Sequence, residues 1–584
     1  MLSKKPRKEF LTFFEKRGHQ IVASSSLIPT DTTVLFTTAG MQQFKEYFLG
    51  KRSPFSNKVA SCQKCFRTSD IGEVGDERHL TFLEMLGNFS FGDYFKEGAV
   101  KYALDFLVQE LGLEKEKIWI TVFKGEGRVP EDKESKRIWQ SLGIPKERIF
   151  GFDRKDNFWG PTGLEGPCGP STEIHYDLTS QPCQKGTNCI PNCDCNRFIE
   201  LWNLVFNEYY QNREGQLTPL KQRGVDTGMG LERLAMVCQN KKSVYETDLF
   251  FPIMVEIPGK DERAKRVIAD HIKSAVFLAS EDILPSNVEQ GYILRRILRR
   301  AIRYGKILNL PKNFLIPLAQ KVIEIYRDIY PEVQFRQADI LTVIQNEEEK
   351  FSKTLEKGLK QFEKISARGD ISGVDAFHLY DTYGFPLELT EELARERGLK
   401  TNKKGFQEAF EKHQEISRAG VEKKFGGIGK ETSPEAIRLH TATHLLHQAL
   451  REVLGLHVKQ MGSDITSERL RFDFSHPKQM TEEEIKKVEN LVNQKIKEDL
   501  EIKKEEMPHK EAIKKGALAF FKEKYPEKVT VYSINNFSKE ICAGPHVQRT
   551  LELGFFNIVK EESSGAGVRR IRATLIPPPK ADKL

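Results

Sequence analysis

Residues 65–95 read CFRTSDIGEVGDERHLTFLEMLGNFSFGDYF, two apolar runs divided by a polar loop. With the alternating KVASCQKCFR (58–67) in front, the pattern is a strand ending at Arg67, a loop, and a returning strand. A guanidinium at the mouth of such a turn makes a strand–loop–strand phosphate clamp. It is not a Walker loop, and the chain contains no G-x-x-x-x-G-K-[ST]. Further on, VDTGMGLERL (225–234) gives a short apolar approach, an acid, two glycines and then a helix bearing Glu232 and Arg233. Gly228 and Gly230 let a bound group approach the backbone, and Arg233 can fork onto phosphate oxygens.

Around this stretch the bulk numbers describe a multi-domain chain. Its 584 residues suggest three or four domains, each able to bury a core. Charged residues are 30% and hydrophobic ones 39%, and no apolar run approaches the ~18 residues of a membrane span. The start is basic, but FLTFF is followed at once by Glu15, Lys16 and Arg17, too short for a signal-peptide core. A net charge of 91 − 83 = +8 permits an anionic partner without requiring one. These features point to a cytoplasmic protein away from membranes.

Composition divides the chain further. Residues 1–240 mix strand-like runs (TVLFTTAG, KIWITVF, FIELWNLVF) with glycine-rich turns, an α/β pattern. Residues 241–420 are almost wholly helical in period, 421–434 form a charged, glycine-bearing linker, and 435–584 alternate helices with short strands. In ILRRILRRAIRYG (293–305), Arg295, Arg296, Arg299, Arg300 and Arg303 occupy an arc of roughly 140° opposite an apolar face. Such an arc is either a solvated surface or a phosphate-binding one. Five arginines with no interspersed acid would repel one another unless a polyanion screened them, which favours phosphate.

Nine cysteines are unevenly placed. Cys183, Cys189, Cys193 and Cys195 crowd into PCQKGTNCIPNCDC, a loop rich in turn residues; four thiolates so close suit a structural zinc ion in a reducing compartment, with a redox or chance cluster as the alternatives. Cys62 and Cys65 read as strand residues. HTATHLLH (440–447) is predicted helical, with Ser433 as N-cap, Pro434 in the first turn and Gly455 as stop. His440, His444 and His447 then share a face, and the first two have the i, i+4 spacing of a metal-binding pair. Alone, the pair fits equally well as histidines satisfied inside a core.

The ordered series SSSLIPTDTTVLFTTAGMQQF, CFRTSDI…FSFGDYF, GPCGPSTEIHYD, LWNLVFNEYY and VDTGMGLER closely resembles alanyl-tRNA synthetases, a class II family, over nearly the whole chain. The resemblance implies a catalytic domain (1–240) built on an antiparallel sheet, a helical tRNA-recognition domain (241–420), the linker, and an α+β editing domain (435–584). It implies that alanine and ATP with Mg²⁺ form alanyl-adenylate, and that alanine passes to the 3′ adenosine of its tRNA. By motif match, Arg67 resembles the arginine on the ATP α-phosphate, Arg233 the one facing the γ-phosphate, and Asp226 the acid that takes the substrate ammonium. Trp159 and Val205 match the small alanine pocket, with Asn203 and Gly228 beside them. In the helical region PSNVEQGY and LYDTYGFP would present Asn287 and Asp381 to the G·U pair of the acceptor stem, with Arg295, Arg299 and Arg303 on tRNA phosphates.

The same resemblance supplies partners for the histidine pair. Cys542 and His546 in KEICAGPHV complete the zinc-centred editing site shared with threonyl-tRNA synthetases, and Gln460 in HVKQMGSD matches a polar residue of its pocket. Three imidazoles and a thiolate suit tetrahedral Zn²⁺. The chain departs from the family in three places. Only the linker stands where a glycine-containing β-barrel usually precedes the H-x3-H helix. CAGPH has Pro545 where threonine is usual. The sequence also stops soon after GAGVRRIRATLIPPP, without the coiled coil and C-terminal domain that dimerise these enzymes, so a monomer is expected. The rival readings are a synthetase with an inactive, relic editing domain, a tRNA-binding paralogue and a stand-alone editing hydrolase. Arg67, Asp226 and Arg233 are all present, which speaks against the paralogue; the first 240 residues speak against the hydrolase.

Overall fold

Strand β7 (Gly166–Asp177) has no hydrophobic alternation, yet all twelve of its residues are buried. It lies inside a nine-stranded sheet, and Thr172, Glu173, His175 and Asp177 find their hydrogen-bond partners within the protein, while the Ser171 hydroxyl has none. The computed structural model describes residues 1–31, 33–422, 433–518, 528–565 and 567–576; residues 423–432 of the expected linker lie outside the described residues. With β1 (Gln20–Ile21), β2 (Lys58–Phe66), β3 (Phe82–Phe91), β4 (Ile118–Phe123), β5 (Ile149–Phe152), β8 (Phe198–Gln211) and β9 (Leu217–Gly230), the order across the sheet is β1-β2-β3-β9-β8-β7-β4-β5. The short β6 (Phe158–Trp159) pairs with β7. All pairings are antiparallel except β1·β2 and β4·β5. Gly169 sits at a β-bulge where a Cβ would meet the Phe206 carbonyl oxygen at 1.8 Å, so only glycine lets β7 and β8 close there.

Contacts group the chain into two compact units, Met1–Gly369 with His378–Lys400, and Asp370–Phe377 with Thr401–Leu584. In the first, helices Glu262–Ser280, Glu289–Ile307 and Gln337–Ser366 follow the sheet. The Glu289–Ile307 helix corrects the expectation of an arginine-rich face open to phosphate. Arg295, Arg299, Arg300 and Arg303 are 8%, 6%, 5% and 4% exposed. Arg299 lies 2.6 Å from Glu347 and Arg295 3.6 Å from it; Arg300 pairs with Glu392, Arg303 with Glu396 and Arg296 with Glu388. The helix has no interspersed acid because the acids come from helices Gln337–Ser366 and Leu387–Glu396, out of reach of any local count. Arg295, Arg299 and Arg303 are therefore structural, not a phosphate-binding surface.

In the second unit, β10 (Gln460–Ile465), β11 (Leu470–Ser475), β15 (Phe555–Gly565) and β16 (Val568–Ile576) form a sheet in the order β10-β11-β16-β15. A second sheet joins β12 (Ile502–Pro508), β13 (Lys528–Ile534) and β14 (Ser538–Ile541). Helix Pro434–Leu454 has the expected ends: the Ser433 hydroxyl accepts from Ala436 N–H, and Gly455 closes it at φ +116°. Its Leu439, Leu445, Leu446 and Leu450 join Phe472, Phe474 and Phe556 in one apolar core.

Removing Glu347 would leave Arg299 and Arg295 short of a carboxylate in a nearly dry site. Glu347→Ala is expected to destabilise the first unit by about 3–5 kcal/mol, read as a lowered midpoint in thermal denaturation. A melt within a degree of the parent would show the pair to be dispensable.

Candidate functional site

Arg67 stands one residue beyond the end of β2, its Nε donating to the Thr38 carbonyl at 3.3 Å. It lines a cavity with Arg78, His79, Met85, Glu200, Gly228, Gly230 and Arg233. The floor comes from sheet register, because β8 and β9 place Asn203 opposite Gly228 and Val205 opposite Asp226, while β3 puts Phe89 beside Asp226. A Cβ at Gly228 would lie 2.9 Å from Met85 Sδ, so that the methionine side chain would have to move; at Gly230 nothing comes nearer than 3.9 Å. Arg233, at the start of helix Leu231–Cys238, donates to the Glu200 carbonyl (3.1 Å) and carboxylate (3.0 Å). Burial opposes the Glu200 charge, yet Arg233, His175 and Arg67 together hold its carboxyl below the usual range. Arg67, Arg78 and Arg233 thus present guanidiniums to the cavity, offset by Asp70, Glu200 and Glu232 in the same lining, so the charges are matched and the guanidiniums remain able to fork onto phosphate.

Asp226 is 5% exposed and, among the described residues, makes no hydrogen bond or ion pair. Burial alone pushes its carboxyl up to about 7. A buried acid with nothing to neutralise it is a site shaped for a cation that arrives from outside. Beside it Val205 is buried; the Asn203 amide donates to Glu173 at 2.9 Å and leaves its own oxygen without a partner. Trp159 packs against the cluster of Phe44, Met85 and Phe89. Sequence reasoning missed Arg78, His79 and Glu200. An acid inside the apolar run FIELWNLVF was the available signal for Glu200; the loop residues Arg78 and His79 had none.

In the second unit His440 and His444 meet Cys542 and His546, which follow β14, with one donor atom from each lying within 4.8 Å of the others. Cys542 Sγ is 3.4 Å from both His440 Nε2 and His546 Nε2. Sulfur and nitrogen on a tetrahedral zinc stand about 3.6 Å apart, so the spacing fits that ion. Burial disfavours the Cys542 thiolate, but the three imidazoles outweigh it and lower the thiol to about 3. His447, on the same helix face, pairs with Glu540 at 2.9 Å, a carboxylate that also lies 2.6 Å from His444 Nδ1. Gln460 opens β10, and its amide donates to Ser463 at 3.1 Å. Cys183, Cys189, Cys193 and Cys195 form the other four-donor group. Asn287 and Asp381 are exposed in the first unit, Asn287 accepting from Arg295.

Residues 5–469 match a family model described as tRNA synthetases class II (A), and residues 529–572 one described as Threonyl and Alanyl tRNA synthetase second additional domain. The chain is 50% identical to the alanine–tRNA ligase of Borrelia hermsii, over 98% of this chain and 99% of that protein. It is 47% identical to that of Treponema pallidum, over 97% of each. With the longer alanine–tRNA ligase of Dehalococcoides mccartyi the identity is 39%, over 97% of this chain and 79% of the relative.

Asp226 also makes a stability prediction. Folded, its carboxyl keeps a proton to about pH 7; unfolded, it ionises near 3.8. Its contribution to stability therefore falls as pH rises between those values and stays low above them. Asp226→Asn should stabilise the unliganded protein at pH 8 by as much as ~4 kcal/mol and leave it little changed at pH 4. Thermal melts at both pH values test this; a difference independent of pH would remove the buried-charge account.

Proposed function

This chain belongs to the alanine–tRNA ligase family of class II tRNA synthetases, and we propose the following division of labour among its residues. The protein joins alanine to tRNA at the expense of ATP, taken as its Mg²⁺ complex. The observation that carries the site reading is Asp226, a buried carboxylate without a partner beside an arginine-lined cavity. Asp226 receives the alanine ammonium, and Val205 and Trp159 wall off the space a larger side chain would need. Asn203 and Gly228 complete that pocket. The alanine carboxylate attacks the α-phosphorus and pyrophosphate departs. Arg67 holds the α-phosphate, where charge grows in the transition state, and Arg233 holds the γ-phosphate. The 3′ adenosine hydroxyl of tRNA then attacks the alanyl carbonyl, releasing AMP.

Supporting this reading, residues 1–240 act as the catalytic domain, 241–420 as the tRNA-recognition domain and 435–584 as the editing domain, in the cytoplasm. Asn287 and Asp381, both exposed, contact the acceptor stem. Serine exceeds alanine by one hydroxyl and glycine falls short by one methyl, differences worth only ~1–3 kcal/mol in a small pocket. A second, hydrolytic site answers that need. His440, His444, Cys542 and His546 would hold zinc there. Bound by all four it would be coordinatively closed, fixing the ester end and not activating water. Gln460 would orient the ester or the attacking water.

Exchange of pyrophosphate into ATP in the presence of alanine measures the first step. Arg67→Ala should lower the rate by at least ~10²-fold, and exchange at the parent rate would remove the α-phosphate assignment. For the second site, the parent chain should deacylate seryl-tRNA carrying the alanine acceptor stem and anticodon, and Cys542→Ala should not. Equal background hydrolysis by both would mark the 435–584 region as an inactive relic.

A further inference from the structure

The four-cysteine loop runs directly into Asn196, which is hydrogen-bonded to Arg78 of the Arg67 cavity. Cys183 and Cys193 sulfurs stand 3.8 Å apart, and Cys189 and Cys195 sulfurs 3.6 Å apart. Four sulfurs at about 2.3 Å from a tetrahedral zinc lie about 3.8 Å from one another. All nine cysteines are free, so the spacing belongs to thiols converging on a point and not to a crosslink. Nitrogen donors already face the sulfurs: Lys185 N–H is 3.4 Å from Cys183 Sγ, and the Arg197 guanidinium is 3.7 Å from Cys189 Sγ. Arg197 is itself anchored to Asp177 at the end of β7, at 3.0 and 2.6 Å.

Directly after Cys195 comes Asn196, in the left-handed conformation at φ +60°. Its side-chain oxygen accepts from Arg78 at 2.6 Å, and the Phe198 carbonyl accepts from the same guanidinium at 3.3 Å. Asn196 Nδ2 also reaches Glu77 at 3.5 Å, and Glu77 pairs with Arg266 at 3.0 Å. Arg78 lies on the loop between β2 and β3, and it lines the cavity that holds Arg67 and Arg233.

We propose that the Cys183–Cys195 loop is a zinc knuckle whose work is to place Arg78 in the nucleotide cavity, through Asn196. Arg197 and Phe198 are held by Asp177 and the start of β8 whatever the cysteines do, but the segment from Cys183 to Cys195 has only weak thiol contacts without the ion, so Arg78 would keep the Phe198 carbonyl and lose Asn196 as a fixed acceptor. On metal binding each thiol gives its proton to solvent, so the assembled knuckle carries net negative charge, balanced by Arg197. The proposal rests on reading the Arg67 cavity as the ATP site. Loss of Arg67 tests that reading separately, while the zinc content below tests the knuckle without reference to ATP.

The experiment pairs zinc content with the ATP KM and kcat of pyrophosphate exchange, measured on the full chain. Cys189→Ser should lose one zinc per chain and raise the ATP KM about tenfold with kcat within about twofold, as for loss of an interaction made equally in ground and transition states. Arg78→Ala should keep its zinc and raise KM similarly. Because both changes remove one contact, the double variant should be no worse than the larger single one. Asn196→Ala, which keeps all four thiols, guards against a loop that merely unfolds: it should retain zinc and still raise the ATP KM several-fold. Full zinc in Cys189→Ser, an unchanged KM in Asn196→Ala, or multiplied effects in the double variant would each overturn the proposal.

Discussion

Lys273 has no exposed surface, and its ammonium lies 2.7 Å from Glu232, which is 1% exposed. Around this pair the cavity is assembled. The Glu232 carboxylate also accepts from the Glu84 backbone N–H on β3, and the Glu84 side chain is forked by Arg7 at 2.9 and 2.5 Å and capped by the Tyr330 hydroxyl at 3.0 Å. One charged chain thus joins the first helix, the returning strand after the Arg67 loop, the helix that carries Arg233 and the helix Glu262–Ser280. Each buried charge is tolerable only while its counter-charge is in place. The arrangement therefore fixes the strand and helix from which Arg67 and Arg233 line a cavity that, as two flexible side chains, they could not define alone.

The loop between β2 and β3 is held in the same manner from the helical region. Asp270 accepts from Thr81 N–H and Oγ at 2.9 and 2.6 Å, and its neighbour His271 lies 2.9 Å from it and 3.0 Å from Arg300. Arg300 donates in turn to the Ile71 carbonyl at 3.0 Å. The compositional line near residue 240 consequently runs through a set of contacts that hold the loop between β2 and β3. A segment cut there would lose Lys273, Asp270 and Arg300 together.

Local rules in the sequence carried the strand–loop–strand around Arg67, the caps of the HTATHLLH helix and the crowding of the four cysteines. Each of those is settled by neighbours within a few residues. The polar strand β7 was invisible to periodicity because both its faces are buried. Arg295–Arg303 misled for a related reason: charge patterning sees the helix alone, and its carboxylates arrive from roughly fifty to a hundred positions later. Cys542 and His546 lie about a hundred residues from His440, so only the family resemblance, and not spacing, could join them. Arg78 was missed because a lone charged residue in a loop has no local signature until the sheet is assembled, whereas Glu200 left one, an acid inside an apolar run, that was not used.

In its proposed role as acceptor of the alanine ammonium, Asp226 has a last consequence, in the protons exchanged when substrate arrives. Because burial pushes its carboxyl up to about 7, the empty pocket keeps part of its proton at neutral pH. An incoming ammonium pairs only with the ionised form, so that fraction is expelled into the buffer as the ligand settles. Amino-acid affinity then carries a hydrogen-ion activity term, and the heat of binding depends on which buffer accepts the proton.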